Sequence, residues 1–140
     1  MYRGEPYALS MHPEKFRRIA DRDRDYTYTS AGKLGFKFKE FLVANGYEMK
    51  NDYVTINVAG KNFASFDLPF LRKIEGFCKH VNIRHRIIDP SILYWESGDE
   101  KLPDTETCKK RAGIDGIIAH NSIDDCLDVV KLLRYSFNKE

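Results

Sequence analysis

Tyr53-Val54-Thr55-Ile56-Asn57-Val58-Ala59-Gly60-Lys61-Asn62-Phe63-Ala64-Ser65-Phe66-Asp67-Leu68-Pro69-Phe70-Leu71 is the stretch on which the fold turns. Its first seven residues are rich in β-branched side chains and are closed by Gly60, which predicts a strand. From about Ser65 to Lys79 the spacing predicts a helix with Phe66, Phe70, Ile74, Phe77 and Cys78 on one buried face. Pro69 is tolerated because it falls in the first turn, where a missing N–H breaks no helical bond. Asp67 is polar between Phe66 and Leu68, so a carboxylate sits where a core strand gives way to a helix. By itself such a residue is well explained as an N-terminal carboxylate favoured by the helix dipole.

Downstream, Arg84 to Ile88 reads as a second strand, ended by Asp89-Pro90. Leu102 to Gly113 reads as a short helix, with Asp104 or Thr105 as N-cap and Gly113 just past its end. The last helix opens at Ser122, paired with Asp125 in a capping-box-like arrangement. Ile123, Cys126, Leu127, Val130, Leu133 and Phe137 form its apolar stripe, widened by Val129 and Leu132, and so apolar a helix is expected to be largely buried. Upstream, Tyr7–Met11 reads as a short strand and Pro13 as a helix start. The charge-alternating run Asp21–Asp25 reads as a surface connection. A further helix begins near Ser30, carries Leu34, Phe38, Phe41 and Leu42, and stops at Asn45-Gly46. Strands alternating with helices, with no evident hairpin, predict an α/β domain.

Composition sets the limits around this core. The chain has 140 residues, 42% hydrophobic and 31% charged, with a formal net charge of +2. That length suits one domain with a core of its own, without disulfide or metal staples. Aromatic content of 13% and only five prolines exclude a disordered chain. No run approaches the ~18 apolar residues of a membrane span, and Met1–Pro6 shows no secretory h-region. A cytoplasmic protein is therefore expected. Cys78, Cys108 and Cys126 fit neither a disulfide framework nor a zinc pattern. Cys78 and Cys126 fall on apolar helical faces and are expected to act as small hydrophobes. The small net charge does not announce a nucleic-acid binder, and the cluster Lys33, Lys37 and Lys39 reads as a solvated helix face.

A second carboxylate-bearing junction lies at Ala119-His120-Asn121-Ser122-Ile123-Asp124-Asp125. Taken with Asn62-x3-Phe66-Asp67-Leu68-Pro69-Phe70-Leu71, it resembles the DEDDh exonucleases, the DnaQ-like 3′–5′ group of the ribonuclease H-like superfamily. The likeness is good over Tyr53–Phe137 and weaker over Tyr2–Ala20. It implies a ribonuclease H-like mixed sheet flanked by helices in a single exonuclease-like domain over residues 1–140. The implied function is metal-dependent removal of nucleotides from the single-stranded 3′ end of a nucleic acid. Asp67 and Asp125 match metal ligands, for Mg²⁺ or Mn²⁺ in a two-metal site, and His120 matches the general base. Lys61, Asn62, Phe63 and Phe66 are candidate substrate-binding residues, through backbone phosphate or base stacking. For Lys61 and the two phenylalanines, a surface lysine and core aromatics are equally good descriptions. Asp89 matches a position that ends a strand without holding metal.

The family's first motif, Asp-x-Glu on the first strand, does not occur before Asp67. The resemblance therefore implies a domain short at its N-terminus, lacking its first strands and half its metal ligands. Asp104-Thr105-Glu106 copies the missing motif, but it opens a short helix between the other two motifs and reads as a decoy. With two carboxylates instead of four, the chain alone is expected to be inactive or very slow as a nuclease. The alternative is a non-catalytic remnant that binds nucleic acid or a protein partner through the same cleft. Absent strands would also leave a sheet edge open to pairing, which predicts a homo-oligomer. In an unrelated α/β domain, by contrast, His120 and Asp125 would share no cleft with Asp67.

Overall fold

The computed structural model describes Ser10, residues 13–114 and residues 122–138. The chain divides into two compact units, Met1–Ala31 and Gly32–Glu140. In chain order the elements are α1 (Pro13–Asp21), α2 (Ala31–Ala44), β1 (Met49–Lys50), β2 (Tyr53–Ile56), α3 (Asp67–Lys73) and α4 (Phe77–His80). They are followed by β3 (Val81–Ile83), a 3-10 helix (Pro90–Tyr94), α5 (Thr105–Ala112) and α6 (Ser122–Phe137). The described residues are thus mixed α/β, as the sequence predicts. Among them no helix is long and apolar enough to cross a membrane.

In the first unit, Pro13 opens α1, as its fixed φ favours. The helix is closed off by a turn in which Arg22 takes a left-handed φ of 49°. The Arg18 guanidinium lies 4.7 Å from the centre of the Tyr26 ring, and the Tyr28 hydroxyl donates to the Arg18 carbonyl at 2.8 Å. The Asp21–Asp25 run is the surface connection expected of it. The strand expected over Tyr7–Met11 lies outside the described residues except at Ser10, which is helical.

The second unit is built on a three-stranded sheet of order β1-β2-β3. β1 and β2 pair antiparallel, Met49 opposite Val54 and Lys50 opposite Tyr53. Asn51 and Asp52 join them with φ of 48° and 67°, the two left-handed residues of a tight hairpin that the sequence reading missed. β2 and β3 pair parallel, Val54 with Val81 and Ile56 with Ile83, so α3 and α4 form the crossover between them. Pairing resumes at Ala59 and Ile88. The expected strand at Arg84–Ile88 is therefore corrected to Val81–Ile83, with Arg84, His85 and Arg86 exposed beyond it.

The single helix expected over Ser65–Lys79 is in fact two. Ile74 turns extended at ψ 121° and Gly76 takes φ 74°, which a residue without Cβ adopts without strain. That break resets the helical phase. Leu68 and Phe77 are buried, whereas Phe66, Phe70 and Cys78, expected inside, are exposed. Leu42, Val54, Ile56, Phe77 and Val81 form the core, with Phe38, Val58, Leu71, Ile74 and Ile83 packed on it. A Cβ on Gly35 would lie 2.7 Å from the Phe77 Cα, so α2 reaches this core only because position 35 is glycine.

A second cluster joins Tyr94, Cys108, Ala112 and Leu132. Asp104 caps α5 by accepting from the Thr107 amide at 2.8 Å, which confirms the decoy Asp-x-Glu as a helix start. Lys109 and Asp128 form a buried ion pair at 2.9 Å between α5 and α6. The Tyr94 hydroxyl donates to the Leu132 carbonyl at 2.7 Å. α6 consequently docks through Asp128 and Leu132. Its expected buried stripe is corrected: Ile123, Cys126, Leu127, Val130 and Phe137 are exposed. Of the three thiols it is Cys108, not Cys78 or Cys126, that behaves as a buried small hydrophobe.

Candidate functional site

Residues 60–66 leave the C-terminal end of the β2–β3 pairing as a chain of tight turns. Asn62 adopts φ 57°, and its carbonyl accepts from the amides of Ser65 at 3.2 Å and Phe66 at 3.0 Å. Gly60 is required beneath Phe63, because a Cβ there would come within 2.9 Å of the Phe63 Cβ. The Leu68 amide donates back to the Phe63 carbonyl at 2.9 Å, which delivers the chain into α3.

Asp89 anchors this loop from the other side. One carboxylate oxygen accepts from the Ser91 amide at 2.9 Å and the Ser91 hydroxyl at 2.6 Å. The other accepts from the Asn62 amide at 2.9 Å. Burial pushes the Asp89 carboxyl up, but the hydrogen bonds from Ser91 and Asn62, with Lys61 nearby, outweigh it and hold it below the usual range. The Lys61 ammonium donates to the Ser91 hydroxyl at 3.2 Å and to the Pro103 carbonyl. Lys61 and Asn62 thus serve the loop's own structure, and Asp89 is structural, as its place in the sequence suggests.

The outward side of the segment is aromatic. Phe66 occupies the N-cap position of α3, where a phenyl group offers the helix no hydrogen bond. Phe66 is 61% exposed and Phe70 60%, and their rings are 5.5 Å apart at a 57° tilt. The Lys73 ammonium stands 5.7 Å from the centre of the Phe70 ring. Asp67, the first residue of α3, follows Phe66 in the chain and is exposed, whereas Phe63 is half-buried. The surface therefore offers two stacking faces, a carboxylate and a cation within two turns of backbone.

No family model, curated protein or solved structure matches this chain.

Asp125 lies exposed in the first turn of α6, a helix packed on α5 and the 3-10 helix. His120 lies outside the described residues. Among the described residues no group of three or more His, Cys, Asp or Glu side chains is gathered to hold a metal ion. Asp67 and Asp125 belong to no such group. Sequence reasoning missed Phe70 as a surface residue and Ser91 as the centre of the loop anchor. The i, i+4 spacing of Phe66 and Phe70 was the available signal for the first.

Proposed function

We propose that this chain is a ribonuclease H-like domain of DnaQ-like exonuclease lineage that engages the single-stranded 3′ end of a nucleic acid at Phe66–Lys73. The observation that carries the reading is the pair of exposed phenyl groups of Phe66 and Phe70, in contact with each other at the head of α3. Two large aromatic faces left in water are costly unless something covers them, and a nucleobase stacks on such a face for about 1–3 kcal/mol. Stacking is tolerant of sequence, as a protein acting on arbitrary ends requires. Lys73 stands beside Phe70 to meet backbone phosphate. Residues 33–86 carry ten Lys/Arg against five Asp/Glu, and residues 87–140 carry seven against eleven. The stretch of sequence that holds the phenyl pair is thus the more basic one, which favours a polyanionic ligand.

The metal of this lineage is Mg²⁺ or Mn²⁺; Asp67 and Asp125 would hold it, and His120 would accept a proton from water. Two carboxylates hold one ion weakly and do not build a two-ion clamp, so hydrolysis by this chain is absent or very slow. The second reading is a non-catalytic exonuclease-like remnant that binds nucleic acid or a protein partner through the same surface. A cytoplasmic location belongs to the same proposal.

Equilibrium binding of a fluorescent single-stranded oligonucleotide, followed by a time course with Mg²⁺ or Mn²⁺, tests the reading. The wild-type chain is expected to bind, with Phe66→Ala and Phe70→Ala each weakening binding about five-fold or more. Absence of binding by the wild type overturns the proposal. Robust 3′ trimming abolished by Asp67→Ala overturns the limit set by two carboxylates.

A further inference from the structure

α6 carries a surface that nucleic-acid binding does not use. Ile123, Leu127, Val130, Arg134 and Phe137 recur at alternating intervals of four and three residues, the 3.5-residue repeat of a helix-pairing seam. Ile123 is 71% exposed and Phe137 72%, and Leu127 and Val130 are exposed between them. The opposite side of the same helix holds Leu132 and Asp128, both buried against the domain. The stripe therefore points away from the core that α6 helps to build.

Charge is unevenly divided along this helix. Asp124 and Asp125 lie in its first turn, and Lys131 and Arg134 in its second half. The Lys131 ammonium is 3.6 Å from Asp128, yet its side chain stays 59% exposed and can meet a second carboxylate. We infer that the Ile123–Phe137 stripe is the interface with a second copy of this chain, the two α6 helices packing antiparallel. With Leu127 of one copy facing Val130 of the other, Asp124 faces Lys131 at both ends of the seam, and the helix dipoles are opposed favourably. A parallel pair sets the two helix dipoles side by side in the same sense and takes Lys131 away from Asp124. The sheet is a weaker route to self-association, because its outer strands β1 and β3 are two and three residues long.

Light scattering on the full chain after size exclusion, over a series of concentrations, reads the mass directly. A species of twice 16.3 kDa is expected at the upper end. Leu127→Glu and Val130→Glu are expected to raise its dissociation constant more than about ten-fold, leaving far-UV circular dichroism unchanged. Orientation is tested by oxidising a mixture of Asp124→Cys and Lys131→Cys variants in a Cys78→Ser, Cys126→Ser background. A disulfide between the two variants, and none within either alone, is expected. A monomer at every concentration, a dimer indifferent to both glutamates, or homodisulfides in place of the mixed one overturns the inference.

Discussion

Asp89 shows how one side chain can fix a loop through its hydrogen bonds alone. Its three hydrogen bonds tie the Lys61–Asn62 turn to the start of the 3-10 helix, where the buried Ser91 would otherwise be left with its amide unpaired. Asp89→Ala is expected to reduce unfolding free energy by about 1–3 kcal/mol in urea titrations. The same residue makes stability depend on pH. A carboxyl whose folded pKa lies below its free value of about 3.9 stabilises fully above that value, and the stabilisation is lost as pH falls through the folded pKa. Asp99 acts in the same sense and further: the side-chain hydrogen bonds from Arg111, then the Glu96 amide, hold it to about 2. The urea midpoint is therefore expected to stay level above about pH 5 and to fall between about pH 4 and 2. In Asp99→Asn the lower part of that fall should flatten; an unchanged profile would rule the pair out as its source.

Helix α6 illustrates what periodicity leaves open at the scale of an element. Its apolar residues cover more than one face, so their spacing gives the helix but not the side that docks. The deciding group is Asp128, a carboxylate buried against Lys109. A sequence reading counts that aspartate as solvent-facing and so selects the neighbouring stripe. Asp128→Ala leaves Lys109 buried without its partner and is expected to cost about 3–5 kcal/mol, whereas Lys109→Met combined with Asp128→Leu recovers most of it. Thermal unfolding of the three proteins separates these outcomes. In the α3–α4 crossover the missed signal was Gly76, whose left-handed φ starts a second helix where one continuous helix was expected. α2 was legible almost to its ends, because Asn45-Gly46 stops it locally. Gly35 within it was not, since its role is a contact with Phe77, 42 positions away. Gly35→Ala is expected to destabilise by about 1–3 kcal/mol through overpacking, measured by the same denaturation.

At the scale of the whole molecule, the sequence was most informative where structure is set by residues close in the chain. The strand, the turn at Gly60 and the aspartate at the head of a helix were all readable, because each depends on residues close in the chain. The loop anchor was not, because Lys61, Asp89, Ser91 and Pro103 meet only once the crossover is folded. The division of charge between residues 33–86 and 87–140 was hidden in a total of +2. If the phenyl pair meets a polyanion, as proposed, added salt is expected to weaken that binding. The most direct measurement places 2-aminopurine either at the 3′ terminus or at the 5′ terminus of a single-stranded oligonucleotide and follows its fluorescence on adding protein. Stacking on Phe66 and Phe70 should change the 3′-terminal signal strongly and the 5′-terminal signal little, and Phe66→Ala should abolish the difference. Equal responses at the two ends, or a 3′ response untouched by Phe66→Ala, would contradict end recognition at this site.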